Sequence, residues 1–326
     1  MEFNSTKLRT FSMLGQRGVL GTALLDAAKD NADIIALSAD LCNTSGLDRF
    51  RQEFPERFIN VGIAEQNMVG IAAGIAAGGN IPFATTFANF AALRSCEQVR
   101  HFMGYMQENV KLVGMASGFA MGMFGTTHYS IEDIAAVRAV NHLVILSPAD
   151  GLETYKAVMA AAAYKGPVYL RLSGGMNNPV VYKEDYDFQI GKAVYLKEGG
   201  DIAVAATGSM VAPALQAAAR LEQDGIMAAI INIHTIKPLD DDAVNRLCGY
   251  SQIVTVEEHS KTGGLGSAVA EALAVKEQRP QQLFIGTSEK YRHAGDYGYM
   301  LEQHGLTAEQ IYNQIKKFYK GENKND

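Results

Sequence analysis

Cysteine is scarce in this chain: there are three in 326 residues, and no two form a CxxC pair. Cys42, Cys96 and Cys248 are odd in number and far apart. That argues against a disulfide framework or a structural zinc site and points to a reducing, cytoplasmic setting. An excess of basic charge is also missing. Lys and Arg number 29 against 35 Asp and Glu, a formal net charge of −6, so non-specific nucleic-acid binding is not expected. A local basic pocket for a small anion remains compatible with that balance. The opening residues, MEFNSTKLRTF, lack the apolar segment of a secretory signal. A dinucleotide fingerprint is absent too: Gly15-x-x-Gly18-x-x-Gly21 and Thr262-Gly-Gly-Leu-Gly266 both fall short of GxGxxG. The first is read as easing helix packing near Arg17. The second is read as a strand-to-helix turn that could sit at a subunit interface.

The longest apolar run is Val61–Gly79, VGIAEQNMVGIAAGIAAGG. Glu65, Gln66 and Asn67 near its start argue against a membrane span, because each would be costly in hydrocarbon. The run is expected to form a buried helix with polar groups at one end. Gly70, Gly74 and Gly78 recur every four residues and share one face, where a second backbone could approach closely. Glu65 has two readings. It caps the helix N-terminus, which the pattern alone favours, or it is a buried acid with a raised pKa.

What is present fits a folded α/β chain. Hydrophobic residues make up 48% and charged residues 20%, and the length suits two domains. Short apolar runs at residues 34–39, 58–61, 81–86, 110–115, 143–147 and 168–172 alternate with helical segments, among them 12–29, 87–106 and 151–164. Residues 173–190 break the rhythm with glycines, asparagines and charges and read as a linker. A second alternation follows, with strands at 202–206, 228–233, 253–256 and 283–285 and a final amphipathic helix at 307–320. The expected fold class is α/β, in two domains, each with a mainly parallel sheet flanked by helices. The division is placed at residues 1–185 and 186–326.

In open parallel sheets, sites form at the carboxyl ends of strands. Asp40, Glu65, Phe87, Phe90, His128 and Arg171 all fall at or near such places. Singly each has a bland explanation: a turn cap, a core pair of phenylalanines, a surface histidine, a structural ion pair. Together they supply a buried acid, aromatic faces, a histidine and an arginine, which suits a flat heteroaromatic cofactor and an anionic substrate.

The segments VGIAEQNMVGIAAGIA, TTFANF, TTHYSIEDIA, SPADGLETY and GPVYLRL resemble the pyrimidine-binding domain of transketolases. VEEHSKTGGLGSAVAEAL and GTSEKYRHAGDYGYMLEQHGLT resemble the C-terminal domain of the same family. The resemblance spans residues 13–318. No Gly-Asp-Gly occurs, so the diphosphate-binding domain is not represented, and the chain resembles the C-terminal subunit of a split transketolase. The resemblance implies thiamine diphosphate held with an N-terminal partner subunit that carries the Mg2+, two copies of each subunit making an α2β2 assembly, and transfer of a two-carbon ketol unit. It implies that Glu65 shares a proton with the aminopyrimidine ring, that Phe90 stacks on that ring, that Phe87 lines the pocket and that Asp40 lies near the thiazolium. His128 matches a histidine at the reacting end of the donor sugar. Arg17, Arg171 and Thr44 match the substrate-phosphate site.

Two departures stand out. In the stretch MASGFAMGMFGTTH the family's first histidine is Ala116, and its hydroxyl-reading aspartate falls at Phe124. Loss of hydrogen-bonding groups predicts a changed substrate, a branched, deoxy or otherwise modified sugar carrying phosphate or sulfonate. The EQNM and GGLGSAV segments are also compatible with a deoxyxylulose-phosphate-synthase-like enzyme or a 2-oxo-acid dehydrogenase beta subunit. A non-catalytic subunit that keeps the fold is the reading from a different class.

Overall fold

The computed structural model describes residues 3–287 and 290–322. Twelve strands are assigned among them: β1 Ile34–Ser38, β2 Phe58–Asn60, β3 Ile81–Phe87, β4 Lys111–Ser117, β5 Val144–Leu146, β6 Val168–Ser173, β7 Val194–Lys197, β8 Ile202–Ala206, β9 Ala228–Asn232, β10 Thr235–Lys237, β11 Gln252–Ser260 and β12 Gln281–Thr287. They form two sheets, a seven-stranded one in the order β10-β5-β6-β4-β3-β1-β2 and a five-stranded one in the order β12-β11-β8-β9-β7. Every pairing is parallel except β10 on β5 and β7 on β9. The central strands β4, β6, β8 and β9 are buried at every position, as expected for parallel strands covered on both faces.

The alternation of strands and helices is as the sequence predicts. Among the additional elements are β7, β10 and helices at Asp48–Glu53 and Tyr297–Gln303. The strand β10 belongs to the second half of the chain but completes the sheet of the first half, with Thr235 paired to Leu146. Three residues give too short a pattern for periodicity to register. One apolar cluster runs from Leu37, Val69 and Met103 through Tyr169 to Ile231, Ile253 and Leu265, so the two halves share buried surface.

The N-terminal helix Ser5–Asp30 is broken at Gly15, whose φ of 66° only glycine adopts cheaply. At Gly21 a Cβ would collide with the carbonyl of Gly46. Gly21 thus lets the helix lie against the 41–47 loop, and Gly15 lets it approach the backbone at Gly175, which is the packing role expected of them. The Thr262–Gly266 turn is occupied within the chain: a Cβ at Gly263 would press on Ala135, and one at Gly264 on the Glu257 carboxylate. The helix Glu65–Ala77 buries Met68, Val69, Ala72, Ala73 and Ala76. Its glycine stripe lies elsewhere. Among the described residues Gly70 has only the Phe102 ring near it and Gly74 has nothing within 4 Å, so none of their backbone packs against these two glycines. The helix predicted at 87–106 starts later, because β3 runs on to Phe87, and it contains π-helical turns at Phe90–Arg94 and Val99–Tyr105. No helix among the described residues is long and apolar enough to cross a membrane.

Candidate active site

The carboxyl ends of β2, β1, β3 and β4 lie side by side. Ser38 pairs with Asn60 on one flank and Thr85 on the other, and Phe87 pairs with Met115. The next residues of each strand therefore converge along one edge. After β1, Asp40 takes a left-handed backbone with φ 60°, a region that Asp tolerates better than most residues. Its N–H donates to Asn60 Oδ1 at 3.1 Å, and Asn60 Nδ2 donates back to Asp40 Oδ1 at 3.3 Å. Asn60 thus links the ends of β1 and β2, and the Asp40 side chain stays exposed.

After β2 the chain turns through Gly62 into the helix that begins at Glu65. Glu65 is 2% exposed. Its carboxylate does not serve as a helix cap: both oxygens accept from Arg94 Nη1, each at 2.8 Å. Burying a carboxylate without such a partner would cost several kcal/mol. Arg94 in turn places its guanidinium carbon 4.0 Å above the centroid of the Phe90 ring. The π-helical turn closes with Ser95 N–H donating to Phe90 O at 3.2 Å, so Phe90 and Arg94 sit at its two ends. Turns of this kind recur at functional sites.

After β4 the chain forms the loop that carries Phe124 and His128. The His128 ring lies 5.7 Å from Phe90, 6.1 Å from Phe87 and 5.2 Å from Phe124, centroid to centroid. Thr127 Oγ1 is 2.8 Å from His128 Nδ1, and among the described residues Nε2 has no hydrogen-bond partner. The loop is tied back by Asn89, whose Nδ2 donates to Thr127 O at 2.7 Å. Asn89 Oδ1 is buried with no partner. Phe124 is 65% exposed, beside the still more exposed Met123.

Arg17 lies on the N-terminal helix where the backbone meets the 41–47 loop, close to Gly46. Thr44 sits half-buried in that loop. Burial lowers the Arg17 pKa from its ordinary value, and among the described residues its guanidinium has no ion pair or hydrogen bond. A half-buried arginine without a partner is prepared for an anion.

Arg171 requires a correction. It does not stand in a substrate-phosphate site. It is buried between the two halves, with Nε donating to Asp133 Oδ2 at 2.8 Å and Nη2 to Glu258 O at 2.9 Å. Tyr169 also donates to Asp133 Oδ2. The guanidinium is enclosed and paired, so it is not available to a ligand. The same network reaches the site indirectly. Glu258 Oε1 accepts from Phe119 N–H at 2.5 Å, and Oε2 accepts from Tyr297 and Ser209. A Cβ at Gly118 would collide with that carboxylate. Glu258 therefore fixes the base of the loop that carries His128.

Sequence reasoning missed Arg94, Asn60, Asn89, Asp133 and Glu258. Arg94 had one usable signal, its spacing four residues beyond Phe90 on the same helical segment. Asp133 and Glu258 are far from Arg171 in sequence and gave none. Among the described residues no group of three or more His, Cys, Asp or Glu side chains is placed to hold a metal ion.

The arrangement offers a buried acid beside an aromatic face and, with no partner among the described residues, one ring nitrogen of His128 and the Arg17 guanidinium. A planar ring bearing an amidine-like edge fits it, because the Arg94 guanidinium already occupies such a position over Phe90 and against Glu65.

Residues 13–178 match the family described as transketolase, pyrimidine binding domain, and residues 191–311 match transketolase, C-terminal domain. A putative transketolase C-terminal section from Methanocaldococcus jannaschii is 38% identical, over 94% of this chain and 97% of its own length. A 6-deoxy-6-sulfo-D-fructose transketolase subunit from a Clostridium species is 42% identical, over 88% of this chain and 89% of its own. A solved structure described as a split gene transketolase, inactive beta4 tetramer, superposes with a TM-score of 0.84 at 39% identity, covering 93% of this chain and 97% of that one.

Proposed function

The chain belongs to the transketolase family, and from that premise we propose that it is the pyrimidine-binding and C-terminal subunit of a split, thiamine-diphosphate-dependent transketolase. The observation that carries this reading is the buried Glu65 carboxylate beside the Phe90 ring at the carboxyl end of the sheet. Bound there, the cofactor would supply the nucleophilic carbon and the electron sink for moving a two-carbon ketol unit from a ketose to an aldose. Glu65 would hold a proton toward a nitrogen of the aminopyrimidine, a task that needs a carboxyl group and that an amide cannot perform. Phe90 would stack on the ring, Phe87 would close the pocket beside it, and Asp40 would lie near the thiazolium. His128, with Nδ1 engaged by Thr127, presents Nε2 for a substrate oxygen. Arg17 and Thr44 would take the anionic end of the sugar.

The diphosphate and Mg2+ are assigned to an N-terminal partner subunit, two of each chain making an α2β2 complex. The cited relatives support this division, as does the exposed glycine face of the Glu65 helix. Phe124 and Met123 make an apolar rim beside His128, which disfavours a sugar that offers a hydroxyl there. The proposed donor is accordingly a modified ketose with an anionic end, phosphate or sulfonate. The sulfofructose enzyme among the relatives supports that class.

The test is reconstitution with a partner subunit bearing Gly-Asp-Gly, followed by assay against a panel of ketoses. Two-carbon transfer that requires both subunits, thiamine diphosphate and Glu65 is the expected result. Transfer by the isolated chain, or pyruvate decarboxylation without ketose turnover, would overturn it. Preference for xylulose 5-phosphate over every modified ketose would overturn the substrate class alone.

A further inference from the structure

Arg94 meets in one residue the two contacts required of the aminopyrimidine ring. Its guanidinium is flat and carries N–H donors. It covers the Phe90 ring with its central carbon 4.0 Å above the centroid, which is stacking distance for a planar group. It also donates to both oxygens of the one buried carboxylate beside that ring. An aminopyrimidine is likewise flat and hydrogen-bonds through an amidine-like edge. Two planar groups cannot share one face of Phe90 and one pair of oxygens.

We propose that Arg94 is a stand-in for the cofactor's aminopyrimidine ring: it fills the seat over Phe90 and against Glu65 in the cofactor-free chain, and it leaves when the ring enters. This rests on the thiamine-diphosphate reading of the site. Three further features support the proposal. Arg94 has no other hydrogen bond or ion pair among the described residues, so nothing else holds it in place. Its side chain is half-exposed, so it can swing into water without opening the core. Arg94 sits at the end of a π-helical turn, a feature that recurs at functional sites. The arrangement also serves the empty chain, since a buried carboxylate without a partner destabilises the fold. The two oxygens that accept from Arg94 are not open to a ring nitrogen at the same time. The resting and working states of Glu65 are therefore mutually exclusive, and Arg94 selects between them.

The proposal predicts competition. In the complex with the N-terminal subunit and Mg2+, thiamine diphosphate affinity is measured by titration calorimetry for wild type, Arg94→Ala and Arg94→Lys. Removing a half-exposed ion pair that the ligand must break should tighten binding by about fivefold in Arg94→Ala. Arg94→Lys keeps the charge but loses the flat group and should fall between. Unchanged or weaker binding by Arg94→Ala would make Arg94 a bystander or a cofactor ligand and would overturn the inference. A second readout uses wild-type protein only. Phenylglyoxal labelling of Arg94, followed by peptide mass spectrometry, should rise when thiamine diphosphate saturates the complex, whereas an arginine that binds the cofactor would be protected. Failure of the wild-type complex to bind thiamine diphosphate would sink the cofactor reading and this inference with it. Binding by wild type with no gain in Arg94→Ala would sink the inference alone.

Discussion

Two arginine–carboxylate pairs in this chain have the same length and opposite meanings. Arg94 meets Glu65 at 2.8 Å, with side chains 45% and 3% exposed. Arg171 meets Asp133 at 2.8 Å, with side chains 1% and 0% exposed. In the second pair both charges are enclosed, and Tyr169 and the Glu258 backbone complete the hydrogen bonding. That pair lies within the first half, and the bond from Arg171 to the Glu258 carbonyl ties it to the second. In the first pair only the acid is buried, and its partner reaches in from the surface. On the proposed function, the difference teaches that a buried acid marks a ligand site when its counter-ion can leave, and a structural joint when it cannot.

The largest effect that would test this contrast is on activity. Glu65→Gln keeps the size of the side chain and removes the exchangeable carboxyl proton. It should lower two-carbon transfer by about 10²–10⁴-fold, the usual range for a positioned acid–base group. Unfolding of the variant by urea should change little, because the abandoned Arg94 is half-exposed. A large stability loss with retained activity would reverse the assignment of the two pairs. Next in size is Arg171→Met. It leaves Asp133 charged and unpaired in the interior, at a cost of about 3–5 kcal/mol, read from urea midpoints. An increase in KM alone, with unchanged stability, would return Arg171 to the substrate site.

How much of this was legible beforehand follows from where each signal lives. Glu65, Phe90 and His128 were readable because each sits beside a strand end in its own stretch of chain, and a strand end is a local pattern. The same reasoning failed at Arg171. It lies on the last strand of the first sheet, as a substrate arginine could, but its fate is set by Asp133 and Glu258, which lie 38 and 87 residues away in sequence. Nothing near Arg171 specifies whether a carboxylate or a ligand will meet it. Arg94 was overlooked for the converse reason: an arginine on a helix is usually a solvated face, and only the burial of Glu65 gives it a role. The strand β10 was missed because three residues carry no usable period and its partner β5 belongs to the other half.

Arg17 sharpens the comparison as a third kind of arginine, half-buried and without a partner among the described residues. If it takes the anionic end of the sugar, Arg17→Ala should remove a charge-assisted contact of about 1.5–3 kcal/mol. The result should be a KM for the anionic ketose raised by roughly 10–100-fold, with kcat changed far less. A non-ionic ketose of the same carbon skeleton should show almost no change in KM. Equal loss for both sugars would place Arg17 in folding and not in recognition.

The smallest effect concerns pH and the sealed joint. Glu257 lies next to Glu258 on β11, and burial pushes its pKa up to about 7, against the N–H groups of Gly266 and Leu265 that hold it down. A carboxyl group raised from its ordinary 4.5 binds its proton more tightly folded than unfolded. Its contribution to stability is therefore complete below pH 4.5 and is lost as pH rises through 7. His234 and His259, lowered to about 4 by burial, act in the opposite sense. Each favours the fold above pH 6.5 and loses that contribution as pH falls toward 4. Between pH 5 and 7 the two trends oppose each other. Glu257→Gln removes the first and leaves the second, so the melting temperature of the variant should rise more steeply with pH over this window than that of wild type. The variant should also be less stable throughout, since an amide cannot accept both N–H groups as a carboxylate does. The change in slope, not the offset, is the reading that matters. Parallel curves would mean that Glu257 is ionised across the whole range and that the joint tolerates a second buried charge.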